Sequence, residues 1–501
     1  MQVVVGTGGL RREDVVAVAR DGATVSLGAD SLAALARGRA VVDELAASPD
    51  PVYGVSTGFG ALATRHITPE LRAQLQRSLI RSHAAGIGPP VEPEVVRAMA
   101  LLRLRTLATG LTGVRPVVAQ AMAALLNSGV TPVVHEFGSL GCSGDLAPLA
   151  AVALALMGEG ESAGALAAAG VEPVVLQEKE GLALINGTDG MLGMLILAIR
   201  DLTELLSVCD VTTAMSVEGL LGTDRVFAAD LQSLRPHPGQ AVSATNIRAL
   251  LAGSPLVASH LEDDPRVQDA YSLRCAPQVA GAARDTLAHA TVVTDRELAS
   301  SIDNPVVLPD GRTESNGNFH GAPVGYVCDF LAIAIADVAS ISERRTDRML
   351  DKARSHGLPP FLADDPGVDS GLMIAQYTQA ALVSELKRLA VPASVDSIPS
   401  SAMQEDHVSM GWSAARKLRL AVEALRRVLA VELVTAARAI DLRASVAAPA
   451  PATGAVRDAL RDVVPGPGPD RWLAPDLAAA EELIRSGAVT GAARSVVKEL
   501  G

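Results

Sequence analysis

Aromatic residues are nearly missing from this chain: six Phe, four Tyr and two Trp among 501 residues, although 49% of the residues are hydrophobic. A core without rings has to be built from Ala, Val, Leu and Ile, and Ala and Leu in that abundance favour helix over sheet. Cysteine is scarce as well. Cys142, Cys209, Cys275 and Cys328 form no CxxC pair and no zinc-knuckle spacing, and a chain of this size needs no disulfide staples. Basic residues are outnumbered 43 to 56, and the net charge of −13 argues against nucleic acid or an anionic membrane surface as the main partner. No uninterrupted apolar run approaches the roughly 20 residues of a membrane span. The opening "MQVVVGTGGLRRED" lacks a basic stretch followed by an apolar one, so the expectation is a soluble, cytoplasmic protein in a reducing compartment. Nor does any HExxH string or carboxylate cluster require a metal.

What is present is mostly helical pattern. "QVVVG" and "ATVSLG" read as short strands, and a helix is expected from Asp30 or Ser31 through "LAALARGRAVVDELAAS". "PVYGVSTGFGALAT" is too rich in Gly and Ser for a regular element and reads as an ordered loop. Two helical runs follow, ending at Gly110 and Gly129, each with glycine where a C-terminal cap wants it. "MLGMLILAIRDLTELLSVCDVTTAMSVEGLL" is apolar on most faces, unlike a surface helix. From "EDHVSMGW" to "DLRAS" no proline intervenes, which predicts a helix of about 40 residues and about 60 Å. Helices of that length bury their faces by lying side by side. The predicted fold is therefore mainly α. Its expected divisions are a mixed N-terminal domain over residues 1–200, a central long-helix bundle over 201–448, and short C-terminal helices over 449–501.

One stretch resists that pattern: "GSLGCSGDLAPLA", residues 138–150. A turn capping the helix that begins near Asp145 would account for its Ser and Gly. A chemical alternative exists. If the backbone bends tightly, which glycine permits without a side-chain clash, the Gly144 nitrogen can attack the Cys142 carbonyl two residues upstream. Closing that ring with loss of water gives an imidazolone, and loss of a second water from the Ser143 side chain leaves an exocyclic methylidene. The product is an electrophile, where ordinary side chains offer only nucleophiles. Cys142 contributes its carbonyl alone, so its thiol is left over.

Other segments decide between the two readings. "YGVSTGFG" (53–60), "INGTDGM" (185–191), "QDAYSLRCAPQV" (268–279), "NGNFHGAPV" (316–324) and "SSAMQEDHVSMG" (400–411) accompany the 138–150 stretch. In this order they resemble the ammonia-lyases that use a methylidene-imidazolone prosthetic group. The likeness covers most of the chain. It implies that the group forms from Cys142, Ser143 and Gly144 without external cofactor or metal. It also implies a homotetramer whose sites are each assembled from three subunits. "SHAAGIG" places His83, "SGLMIAQ" places Met373, and "QEDHVSM" places Glu405 as in the histidine-deaminating branch; His320 stands where plant-type phenylalanine enzymes have glutamine. L-histidine is thus the implied substrate, with trans-urocanate and ammonia as products. A tyrosine or phenylalanine ammonia-lyase, an aromatic aminomutase, or a silent helical scaffold remain as alternatives. Two departures from the family pattern stand out: Cys142 replaces the commonest first residue of the triplet, alanine, and Met403 replaces the usual asparagine before Gln-Glu-Asp-His.

The resemblance assigns roles that each compete with a plainer one. Tyr53 is implied as the base for the β-proton, a role suited to a phenol of ordinary pKa near 10 once partly deprotonated; otherwise it is a buried tyrosine with a satisfied hydroxyl. Tyr271 is implied as catalytic beside Arg274, both facing another chain's Tyr53. Arg274 matches a substrate carboxylate by its planar fork, or is an ion-pair partner. Asn186 and Gln268 are implied hydrogen-bond donors to the ring oxygen and to the substrate, or are loop caps. Phe319 packs on the ring system or in the core. His83 and Glu405 can each hold one nitrogen of an imidazole, although Glu405 can equally cap the helix that follows. Met373 completes the implied substrate-binding set.

Overall fold

The computed structural model describes residues 1–262, 264 and 266–501. It is built mainly of helices, and strands are confined to three two-stranded pairs among the described residues. Gln2–Val5 and Thr24–Leu27, the two segments expected as strands, pair in parallel with Gln2 opposite Thr24. Parallel strands need a crossover, and the Arg12–Arg20 helix supplies it. The next helix, Ala29–Ala47, begins one residue before its expected start. Helices Pro93–Ala108 and Pro116–Asn127 end just before Gly110 and Gly129, both of which adopt left-handed backbone (φ +76°) as a C-terminal cap requires.

Contacts gather the chain into two compact units. The first comprises Met1–Leu197, Thr291–Asp329 and Pro392–Arg416; the second comprises Ala198–Ala290, Phe330–Val391 and Lys417–Gly501. This division is interleaved along the sequence and differs from the three consecutive segments expected. The reason is that four of the five boundaries fall inside long helices, which carry the chain from one unit to the other without a linker.

The second unit shows how its long helices are held. Glu432 and Arg345 are wholly buried and pair at 2.5 Å; Glu432 also accepts from Thr212, Ser216 and Ser342 at 2.6 to 3.0 Å. One carboxylate thereby ties together helices Asp189–Gly219, Ala322–Leu350 and Gly411–Leu442. A buried carboxylate survives in an aliphatic core when its lone pairs are filled in this way. Short helices close the chain, at Pro451–Arg461, Ala474–Arg485 and Ala488–Arg494. Glu180–Gly219 and Ala322–Leu350 each contain an 18-residue window apolar enough for a membrane span, and those windows are 100% and 56% buried within the chain. The first is therefore a core helix by its surroundings.

The helix expected over about 40 residues is shorter: it runs 32 residues, Gly411–Leu442, or about 48 Å. Residues 405–410 are withheld from it. The Met410 amide donates to the Leu140 carbonyl, the Ser409 hydroxyl donates to the Gly141 carbonyl, and Met410 itself is left-handed (φ +53°). Tertiary bonds to the 138–150 loop override the local helical pattern there.

Candidate active site

Those bonds place the 138–150 loop against the 400–411 segment, within the first unit. Gly321 N–H also donates to the Gly141 carbonyl, and Asp145 N–H donates to the Gly187 carbonyl at 2.7 Å. Asp145 precedes the helix Leu146–Leu156, yet its side chain serves a different helix. One carboxylate oxygen accepts from the Gly190 and Met191 amides, both at 2.9 Å, in the first turn of Asp189–Gly219, and the other accepts from the Ser139 hydroxyl. Burial pushes the Asp145 carboxyl up to about 7, against the pull of those donors. Gly144, between Asp145 and Ser143, has φ +80°, and a Cβ there would lie 2.1 Å from the Gly187 carbonyl oxygen. Both the backbone conformation and the packing demand glycine.

Beside this loop lies a cavity of about 600 Å³, lined by Tyr53, Cys142, Ser143, Phe319, His320, Glu405 and His407 among others. Glu405 is its electrostatic centre. The Ser143 hydroxyl donates to Glu405 Oε1 at 2.7 Å, while the Ser400 hydroxyl and the Cys142 thiol donate to Oε2 at 2.7 and 3.2 Å. Burial raises the Glu405 carboxyl, but the three donors and the nearby His83 outweigh it and hold the group below its ordinary value. Cys142 moves the opposite way. Burial and the Glu405 charge push its thiol up to about 12, so it stays an S–H donor rather than a nucleophile.

Asn186 donates from Nδ2 to the Ser143 carbonyl at 2.9 Å, and its buried Oδ1 has no partner among the described residues. Its own carbonyl is fixed by wholly buried Arg103, which also reaches the Ile302 carbonyl and lies 3.4 Å from Asp189. Tyr53 sits in the glycine-rich loop, edge-on to Phe59, and its hydroxyl accepts from the Gly60 amide at 3.2 Å. His83 ends the helix Pro69–His83. Its Nδ1 lies 2.9 Å from the Leu79 carbonyl, which can only accept, so Nδ1 carries the proton and Nε2 a lone pair. Burial lowers the His83 pKa against the effect of that bond and of the Glu405 charge, which favours the neutral ring. His320 and His407 stack in parallel with centroids 5.7 Å apart.

The remaining sequence-derived candidates lie in the second unit. Gln268 is exposed, and Tyr271, at the start of the Tyr271–Arg274 turn of helix, is 71% exposed. The Arg274 guanidinium lies 4.5 Å from the centroid of the Tyr271 ring and donates to the Asp269 carbonyl. Met373 begins the helix Met373–Leu389. Sequence reasoning gave no role to Asp145, Arg103, Ser400 or Ser409. An acid directly before an apolar run signals a cap on its own helix, which the Asp145 side chain does not make, and the serines carry no signal until the chain is folded.

Residues 10–462 match the family described as aromatic amino acid lyase. The chain belongs to that family. This lyase is 68% identical to a histidine ammonia-lyase of Streptomyces coelicolor, with 99% of each chain covered. It is 50% identical to a histidine ammonia-lyase of Sorangium cellulosum, covering 97% of this lyase and 98% of that protein. Among solved structures it is similar to histidine ammonia-lyase from Trypanosoma cruzi, at 38% identity and a TM-score of 0.91, covering 99% of this lyase and 96% of that chain. It is also similar to tyrosine aminomutase from Streptomyces globisporus, at 38% identity and a TM-score of 0.93, covering 98% of each chain.

Proposed function

We propose that the chain is a histidine ammonia-lyase that eliminates ammonia from L-histidine to give trans-urocanate. The carrying observation is the grouping of Glu405 with the reactive triplet: an ionised carboxylate touches Ser143 and Cys142, and a neutral histidine, His83, lies within its electrostatic reach. An imidazole side chain finds polar partners there that a phenyl ring would leave unsatisfied. The near-complete similarity to relatives named histidine ammonia-lyase supports the same substrate.

The residues also fit a methylidene-imidazolone formed from Cys142-Ser143-Gly144. Gly144 has the bent conformation, no Cβ would be accommodated, and Asn186 already donates to the Ser143 carbonyl that would become the ring oxygen. That group supplies an electrophilic carbon, the former Ser143 Cβ, to the substrate's amine. Around it, the chain's own side chains bind and move protons. Glu405 Oε1 accepts the single N–H of the neutral imidazole, with His83 close to that carboxylate, and Asn186 keeps its Nδ2 bond to the Ser143 carbonyl. Tyr53 takes the β-proton on its phenolic oxygen, and Phe319 packs beside the reacting centre. Arg274 grips the carboxylate through its fork, with Tyr271 and Gln268 beside it. In this reading Gln268, Tyr271 and Arg274 reach the site from another copy of a cytoplasmic homotetramer, consistent with the 71% exposure of Tyr271. Met373 belongs to the same substrate-binding set.

The test is direct. Purified protein is mixed separately with L-histidine and L-tyrosine, and the ultraviolet absorbance of the conjugated acid is followed. Growth with L-histidine is expected; growth with L-tyrosine alone would replace this reading with the tyrosine one. Intact mass should fall short of the translated chain by two waters, and the deficit should vanish in Ser143→Ala.

A further inference from the structure

The leftover thiol of the triplet has a definite partner. Among the described residues, Glu405 Oε2 takes two donors, Cys142 Sγ at 3.2 Å and Ser400 Oγ at 2.7 Å, and Oε1 takes one, the Ser143 hydroxyl at 2.7 Å. The side chain is thus gripped by one oxygen and lightly occupied at the other. Ser400 is brought there by unusual backbone. Ser400 and Glu405 exchange amide-to-carbonyl bonds at 2.9 and 3.3 Å, and the turn between them puts Ser401, Ala402 and Met403 all in the left-handed region. Three successive non-glycine residues there cost strain that is tolerated where the surroundings over-determine the conformation, a pattern typical of functional sites. Cys142 is carried there by a separate segment, a loop fixed by Ser409 and Gly321.

We propose that Cys142 and Ser400 are positioning residues that pin Glu405 through Oε2, so that Oε1, held by the Ser143 hydroxyl until ring formation removes it, is then presented to the substrate's imidazole. This rests on the proposed histidine ammonia-lyase function. The thiol at the first triplet position thereby acts as a hydrogen-bond donor, for which alanine has no equivalent. Glu405 in turn serves two occupants at one oxygen, first the serine hydroxyl and then a ring nitrogen.

The test uses the full-length enzyme and the variants Cys142→Ala, Cys142→Ser, Ser400→Ala and the double variant Cys142→Ala/Ser400→Ala. Wild type that fails to deaminate L-histidine would refute the function itself. With an active wild type, intact mass first establishes that each variant has lost two waters, and thermal melting that each is folded. The double variant is expected to raise KM for L-histidine about tenfold, the worth of a charge-assisted hydrogen bond, with kcat changed less than about threefold. Cys142→Ser, which restores a donor, should return KM to within about twofold of wild type. An independent readout is the infrared S–H stretch of Cys142, isolated as the difference between wild type and Cys142→Ala. It should shift when Glu405→Gln removes the charged acceptor. Unchanged KM in the double variant, loss confined to kcat, or an S–H band indifferent to Glu405→Gln would each overturn the proposal while leaving the lyase assignment intact.

Discussion

Gly144→Ala tests the geometry of the triplet most sharply, because its penalty can be worked from two separate features. The left-handed backbone at φ +80° costs an L-residue about 1–2 kcal/mol. The new Cβ would also stand 2.1, 2.4 and 2.5 Å from the oxygen, carbon and nitrogen of Gly187, which are backbone and cannot rotate away. Moving them costs about 1–3 kcal/mol as overpacking does, and breaks the Asp145 N–H bond to the Gly187 carbonyl for about 1 kcal/mol more. The combined destabilisation is about 3–6 kcal/mol. Gly129→Ala is the matched control: φ is nearly the same, +76°, but nothing lies within 4 Å of its Cβ, so only the backbone penalty of about 1–2 kcal/mol remains. Thermal midpoints measured side by side should show Gly144→Ala shifted severalfold more than Gly129→Ala. Displacement of Gly187 also pulls the adjacent Asn186 from the Ser143 carbonyl, so the intact mass of Gly144→Ala should retain both waters. A variant that matures normally and melts like the control would refute the argument from packing.

Met403 has φ +69° and is exposed, so Met403→Asn, which suits left-handed backbone, should stabilise by about 1 kcal/mol in thermal melts; destabilisation would contradict the assigned strain. Glu432→Gln leaves the Arg345 guanidinium buried without its charge partner and should cost about 3–5 kcal/mol, read as a lower denaturant midpoint, with an unchanged midpoint sinking the idea. The pKa of His83 is depressed, so its neutral form persists below the ordinary imidazole value of about 6.5 and is lost as pH falls through the lowered value; its contribution to stability is full above about 6.5 and is lost between that value and the lowered one, because the unfolded ring takes up its proton first. An NMR titration in which the His83 imidazole has its midpoint above that ordinary value would count against a neutral His83.

Much of the architecture is legible in the sequence because apolar periodicity and caps are local signals. The paired strands at residues 2–5 and 24–27 and the glycine-ended helices need no knowledge of distant segments. The 405–410 stretch behaves otherwise. Its pattern is helical, but the bonds from Ser409 and Met410 to the Gly141 and Leu140 carbonyls, from the Val408 amide to the Ser397 hydroxyl, and between Ser400 and Glu405 turn it aside. The site divides the same way. The motifs point to Tyr53, Cys142, Ser143, Asn186, Phe319 and Glu405 as candidates, but the direction of the Asp145 carboxylate and the grip of Ser400 on Glu405 exist only in three dimensions. The two-unit grouping was hidden for a related reason: helices with no break in their pattern give no sign of where one set of contacts ends.

The clasp around residues 138–145 has a consequence for the life history of each molecule. It is closed by Gly187, Gly190, Met191, Gly321, Ser409 and Met410, so a chain still emerging from the ribosome has the reactive triplet long before it has the clasp. Under the proposed chemistry, dehydration at Ser143 cannot be undone by later unfolding. The missing water is then a permanent stamp that the far half of the chain once came home. Weighing a population of these molecules would count those that have ever folded, including those that have since come apart.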